Sequence, residues 1–390
     1  MATVASHARC LHPKNLTKPM NYITSKKGVL ISVLPLCLLL FSCSQAGKDN
    51  RQGVKTIEVE RTGGVTVDPE GDQLAEFFEG MAISDSLDMA YGVDLRVRKA
   101  FQLSLETGEA RYLAPDGRGP KELSNPVLLT MKNENEFLIY DVALDQVAEY
   151  RDGEIVNKYP GFTSYGVWIR NFNGFYYNGF IITGVVDPEK VRAMDFDNAK
   201  PLAFLDFKNE NLEKKGDFSP TIDRLDSDSK YPVIYYDSEY NTIFYLFIND
   251  HTLMAYDLEQ DEASALVSYK PKPFRTKTIS VQGSTAGNMN AAMELGLNIS
   301  TALEIDRIGN QLVVVWKNNN EEYYEDASDV GSENMYMDFY GVLYDLPDLT
   351  NPREFTLPGK FHGVYKNKML ITDNYGAEEL QLSFYEFVQK

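Results

Sequence analysis

"NEFLIYDVALDQVAEYRDGEIVNKYPGF", residues 135–162, decides the fold. "FLIYDV" is a run of β-branched and aromatic residues that suits a pleated, half-buried surface, and "ALDQ" after it is turn material. "QVAEYR" makes a second strand and "EIVNKYP" a third. Between them stands Asp152-Gly153. Asp-Gly flanked by alternating hydrophobic residues is the strongest short-range hairpin signal, because a two-residue turn needs positive φ at both central positions. The stretch reads as consecutive antiparallel strands joined by short turns.

Related units recur on both sides of it. "RKAFQLSLETGEARYLAPDGRGP" (98–120) precedes it; "GFIITGVV" with "PLAFLDFKNENLEKKGDF" (179–218) and "NTIFYLFINDHTLMAYDLEQDEASALVSYKP" (241–271) follow. "GNQLVVVWKN" runs through an acidic loop into "MDFYGVLYDLPDLTNPREFTLP" (309–358), and "GVYKNKMLITDNYGAEELQLSFYEF" (363–387) comes last. Such spacing is that of propeller blades. Six units predict an all-β chain folded as a six-bladed β-propeller, with an open β-sandwich or a two-domain β protein as the alternative. "VKTIEVERTG" (54–63) supplies an extra strand. Its "TIEVE" (56–60) is expected to pair beside the final strand "LQLSFYEF" (380–387), removing an edge that would invite aggregation. Helical periodicity is scarce; "QLAEFFEGM" (73–81) and "NMNAAMELGL" (288–297) each read as a turn or two of helix.

One stretch carries a family likeness. "GRGPKELSNPVLLTMKNENEFLIYDVALDQVAEY" (117–150) resembles the six-bladed β-propeller lipoproteins of Bacteroidetes-type envelopes, relatives in shape of NHL and TolB-like propellers. Gly117, Gly119, Pro120 and Glu122 match their glycine-rich turn, with Lys121 where that turn has a third glycine. Pro126, Asp141 and Tyr150 match the rest. The resemblance implies fold and location; it carries no activity with it.

The leader agrees. Lys26 and Lys27 precede an apolar stretch from Val29 to Phe41, too short to span a bilayer, which needs roughly 20 apolar residues, and suited to the core of a secretory signal. Ser42-Cys43 ends it and looks like the lipobox of bacterial lipoproteins, in which the cysteine sulfur takes a diacylglycerol. The alternative is an ordinary signal peptide or an uncleaved anchor with an incidental cysteine. Met20 reads as a more natural start than Met1. The expected organisation is a leader over 1–42, a lipidated tether over 43–53 and a propeller over 54–390. Cys43 is then the attachment point to the outer membrane, on its periplasmic or its surface face.

Composition excludes several classes. All three cysteines, Cys10, Cys37 and Cys43, belong to the leader and its end, so no disulfide or thiolate site is expected beyond it. Only His251 and His362 follow the leader, which leaves little for a multi-histidine metal cage. The whole chain carries a net charge of −19, and the leader holds five basic residues and no acidic one. The remainder is more acidic still, a field that repels phosphate backbones, so nucleic acid is not an expected partner.

Candidate sites remain. "YGVWIRNFNGFYYNGF" (165–180) offers Trp168, Tyr176 and Tyr177 as flat contact surfaces and Arg170 as a planar donor fork for a glycan, a peptide or an envelope protein. Packing between strands uses the same aromatic residues and is the competing explanation for Tyr176 and Tyr177. "DFDN" (195–198) and "DSDS" (226–229) pair carboxylates two residues apart and could supply calcium with oxygen ligands, though neither continues into an EF-hand loop. The loop "NNNEEYYEDASDVGSENMYMD" (318–338) reads as a solvated acidic insertion, or as a site for a cation or basic partner. His251, next to Asp250, reads as a surface histidine. No required cofactor is expected, with calcium as the open possibility. The function expected is a binding or scaffold module; the alternative is a calcium-dependent hydrolase resembling the lactonase propellers, which hold a metal in the central channel with Glu, Asn and Asp side chains.

Overall fold

Strand follows strand in groups of four. The computed structural model describes residues 55–69, 78–94, 97–169, 173–193, 195–222, 230–276, 296–320, 337–373 and 380–388. Blade 1 consists of Phe78–Ser84, Met89–Asp94, Lys99–Ser104 and Glu109–Tyr112; blade 2 of Pro126–Asn133, Glu136–Asp141, Gln146–Arg151 and Glu154–Pro160. Blade 3 is Gly174–Tyr177, Phe180–Gly184, Leu202–Asp206 and Asn211–Lys215, and blade 4 is Pro232–Asp237, Thr242–Phe247, Thr252–Asp257 and Glu262–Ser268. Blade 5 is Ser300–Ile308, Gln311–Asn319, Met337–Asp345 and Thr350–Leu357. Lys360–Tyr365, Lys368–Thr372 and Gln381–Val388 form the first three strands of blade 6, and Glu58–Thr66 forms the fourth. Within each blade successive strands pair antiparallel. The first strands touch one another in turn around a closed ring. The chain is a six-bladed β-propeller.

The hairpin signals act as their chemistry requires. Asp152 and Gly153 take φ of 51° and 91°, Asn178 and Gly179 take 47° and 97°, so both turns have the two positive φ values of the tight hairpin. The glycine-rich turn has an equally local cause. The Glu122 carboxylate accepts the Gly119 N–H at 2.7 Å, and Gly117 sits at φ 151° where an added Cβ would run into that carboxylate. Buried Asp141 closes the next corner by accepting N–H bonds from Ser124, Asn125, Ala143 and Leu144.

Packing repeats with the blades. Six apolar clusters lie one between each pair of neighbouring blades: Val147 and Ile181 share the cluster of blades 2 and 3, Phe244 and Trp316 that of blades 4 and 5. The cluster of blades 6 and 1 joins Val65, Leu370 and Leu382 to Phe101 and Leu103. Burial of sheet faces against each other is the main stabilising term, at about 25 cal/mol per Å² of apolar area. Fourth strands are the wettest; Glu262–Ser268 has no buried residue.

Closure is more extensive than a single pairing. Glu58–Thr66 runs antiparallel to Gln381–Val388 from Glu58↔Val388 to Thr66↔Gln381, as expected for the extra strand. Lys55–Thr56 departs from that expectation, pairing parallel to Arg353 and Glu354 on the outside of blade 5. Asp68–Pro69 pairs with Glu109 and Ala110 on the outside of blade 1. Residues 55–69 thus lace three blades together.

One other expectation is corrected. Residues 78–81, assigned to a helical turn within 73–81, begin the inner strand of blade 1, and residues 73–77 lie outside the described residues. Of the stretch 288–297, only 296–297 are described, and they are helical.

The two ends of the ring differ. Connections from first to second strand and from third to fourth are short and fall at one end, including 134–135, 152–153, 178–179 and 309–310. Every long connection falls at the other, including 113–125, 161–173, 185–201, 216–231 and 269–299. Residues 53–390 form one compact unit. Among the described residues no helix is long and apolar enough to cross a membrane.

Candidate ligand-binding channel

The inner strand of blade 5, "STALEIDRI", sets the chemistry of the channel. A bulge between Ala302 and Glu304 shifts its register against Gln311–Asn319. Beyond it, Ile305 packs into the cluster shared with blade 4, so Glu304 and Asp306 stand on the opposite side of the strand. Arg307 holds this arrangement from behind. Its guanidinium donates to both oxygens of buried Asp237 on blade 4 at 3.0 Å, to Glu239 at 2.6 Å and, through Nε, to the Gly309 carbonyl at 2.7 Å. Such forked, charge-assisted bonds fix geometry as well as adding energy.

Glu304 reaches across the ring. The Asn173 amide, immediately before the inner strand of blade 3, donates to both of its carboxylate oxygens at 2.8 Å. Glu304 and Asn173 each stand five residues before their blade's first tight turn, so they meet at one level of the channel, nearer the tight-turn end. A cavity of about 320 Å³ opens there, bounded by residues of all six blades, among them Met81, Met131, Phe175, Tyr235 and Val364.

Enclosure dominates the electrostatics. Both acids are half-buried and line this narrow space. Burial pushes the Glu304 carboxyl up to about 8, against the opposing pull of the Asn173 bonds. Burial likewise pushes Asp306 up to about 7, although the Arg307 and Val364 N–H groups hold it down. Asp85 raises Asp306 further, and Lys360 lowers Glu304. The Tyr235 hydroxyl is raised by burial and then by Asp306 and Asp237; among the described residues it makes no hydrogen bond. Carboxylates with strongly raised values in a cleft are a signature of functional sites.

The residues singled out from sequence are dispersed. Trp168 is 45% exposed in the connection before blade 3, its backbone bonded both ways to Val186. Tyr176 packs between blades 2 and 3, and Tyr177 sets its ring edge against Tyr236 at 5.3 Å between blades 3 and 4. Arg170 and Cys43 lie outside the described residues, as do 226–229 and most of the acidic loop, 321–336. In "DFDN", the Asp195 carboxylate is already occupied by Lys190 at 3.0 Å and Asn198 at 2.7 Å. His251 is half-buried against Phe274, and that burial keeps it neutral at lower pH than usual, so it is not the surface histidine expected. His362 is buried beside Thr372 at 2.7 Å.

Sequence reasoning missed Glu304, Asp306, Asn173 and Tyr235. A signal was present. Glu-Ile-Asp places carboxylates two apart within a strand, the same spacing as in "DFDN" and "DSDS".

The sequence matches no family model and no curated protein. Solved structures are similar in fold. A member of the DUF4221 family from Bacteroides vulgatus ATCC 8482 is 14% identical with a TM-score of 0.62, the match covering 86% of this chain and 100% of that one. A protein from Bacteroides fragilis NCTC 9343, named as an exported protein, is 11% identical with a TM-score of 0.57, covering 85% and 96%.

Proposed function

We propose that this chain is a lipid-anchored protein of the bacterial envelope whose propeller binds a small ligand in its central channel. The cavity carries this reading. It is enclosed by all six blades and lined by apolar and aromatic side chains around a few converging polar groups, which is the general make-up of a ligand site. The envelope location rests on the signal-like leader ending at Cys43, with support from the exported relative in fold. Larger partners, such as a glycan, a peptide or an envelope protein, would meet the long-loop end, where Trp168 stands exposed.

The experiment is a ligand-observed fragment screen against the full chain, its Glu304→Gln variant and its Trp168→Ala variant. Hits that weaken at least tenfold with Glu304→Gln and persist with Trp168→Ala support the channel. Hits that respond only to Trp168→Ala move the site to the loops and overturn it. Acylated Cys43 in mass spectra of membrane-extracted protein, with release by Cys43→Ala, is the expected result for the anchor; unmodified Cys43 in an intact precursor would remove that part.

A calcium-dependent hydrolase is the second reading, favoured by the convergence of Asn173, Glu304 and Asp306. Against it, among the described residues no three Asp, Glu, His or Cys side chains form a metal-holding group. A melting temperature raised by calcium and lowered again by chelation would favour it.

A further inference from the structure

The lining of the channel is specific enough to name a ligand class. Glu304 and Asp306 present acceptors from one strand, and the Tyr235 hydroxyl, which makes no hydrogen bond among the described residues, opens beside them. None of the described lining residues is basic. Apart from the Asn173 amide, the rest of the wall is apolar or aromatic, with the Phe175 and Tyr236 rings stacked at 4.9 Å and 10°.

We propose, on the reading of the channel as a binding site, that it takes a small alkylammonium ion, the ammonium group set between Glu304 and Asp306 and the alkyl part against Met81 and Met131. The chemistry of each party fits. An ammonium group offers three donors and no acceptor, which suits two carboxylates and a phenol oxygen. Aromatic faces attract organic cations, and thioethers adapt to alkyl chains. A calcium ion would need six to eight oxygen ligands, which methionine and aliphatic walls do not supply. A cavity of about 320 Å³ lies at the small end of ligand pockets, so the ligand has few carbons.

Without a cation, two buried carboxyls so close are costly to ionise together. Lys360 on blade 6 eases this only in part, at Glu304, and Asp85 on blade 1 opposes it at Asp306; Asp237 on blade 4 is neutralised by Arg307. Binding of an ammonium ion selects the ionised forms and therefore releases protons. Affinity should rise as pH passes upward through 7 and 8, the values to which burial pushes Asp306 and Glu304.

Isothermal titration of the full chain with butylamine, 1-butanol and calcium chloride tests this. Butylamine is expected to bind once per chain, at least tenfold more tightly than 1-butanol. Its affinity should rise at least fivefold from pH 6 to pH 8, with heats that depend on buffer ionisation. Asp306→Asn and Glu304→Gln should each weaken it at least tenfold in a chain that still unfolds cooperatively. Should either fail to fold, Tyr235→Phe keeps the wall, removes one acceptor and is expected to weaken binding about threefold. Equal binding of butanol and butylamine, sensitive to Glu304→Gln, would keep the channel as a site and overturn the ammonium assignment. Binding of calcium without butylamine would overturn it in favour of a metal. If neither organic probe shifts the methyl resonances of Met81 and Met131, the assignment also falls, and the fragment screen separately decides the channel.

Discussion

The two ends of the propeller are built on different principles. At the tight-turn end, two-residue hairpins such as Asp152-Gly153 and Asn178-Gly179 leave the backbone almost no choice. At the long-loop end, four of the six connections between blades run to a dozen residues or more, and order there depends on particular side chains. The turn at 117–122 illustrates it: Glu122 binds back to Gly119, and Lys158 donates to the carbonyls of Gly119 and Glu122 at 2.9 and 2.7 Å. The two-residue hairpins follow from local backbone geometry, whereas the turn at 117–122 leans on Lys158 from another strand. The channel with its buried carboxyls sits nearer the rigid end, where a ligand site can be kept in shape.

This contrast can be broken in several ways. The largest effect is expected from deleting residues 54–66, which run between the ends and close the ring. Without them Gln381–Val388 becomes an open edge and Val65 leaves the cluster of blades 6 and 1, so cooperative thermal unfolding should be lost. An unchanged melting curve would mean that five and three-quarter blades suffice. Next, Gly117→Ala places a Cβ against the Glu122 carboxylate at positive φ, and should cost about 2–4 kcal/mol by chemical denaturation. Gly153→Ala meets nothing within 4 Å and only the φ penalty, so about 1 kcal/mol is expected. A larger loss at Gly153 than at Gly117 would reverse the assignment of side-chain control to the long-loop end.

The channel responds to pH. The Glu304 carboxyl is about 8 in the folded chain and near the ordinary carboxylate value when unfolded. Its stabilising contribution is therefore full in acid, below the unfolded value, and is lost as pH rises toward 8. Glu304→Gln removes that dependence. The variant should be more stable than wild type at pH 8 by up to a few kcal/mol, with the gap closing toward pH 5. Parallel stability curves across this range would contradict the burial. The smallest effect is expected at the long-loop end itself. Replacing 321–336 with a Gly-Ser linker of about eight residues should change stability by less than about 1 kcal/mol, since loop closure depends weakly on length.

How much of this could be read from the sequence follows the same division. Second and third strands announced themselves, because runs such as Glu136–Asp141 and Thr242–Phe247 are buried along nearly their whole length and end in recognisable turns. Inner strands did not. Most of the predicted units began one strand late, since Gly174–Tyr177 is short and Ser300–Ile308 mixes Glu and Asp into its apolar residues. Phe78–Ser84 lay behind Glu, Ala, Phe and Met, residues with fair helix propensity that pairing with Met89–Asp94 overrides. The channel acids were invisible for a related reason. Charged residues in a strand normally mark the wet face, and only the closing of a ring turns such a face inward. Trp168 and its neighbours drew attention because aromatic residues cluster there, and the structure divides that cluster between an exposed loop and two blade interfaces.

The lacing of residues 55–69 also sets the order in which the chain can complete itself. Glu58–Thr66 emerges early in synthesis, while its partner Gln381–Val388 comes more than 300 residues later. At ribosomal rates of about 5–20 residues per second, this strand waits on the order of tens of seconds for its place. Its composition suits the wait. "EVERTGGVT" carries three charges and two glycines, and only Val65 is buried even in the finished ring. A segment so poor in sticky surface can remain unpaired without seeding aggregates, and becomes a strand only when the last blade arrives to receive it.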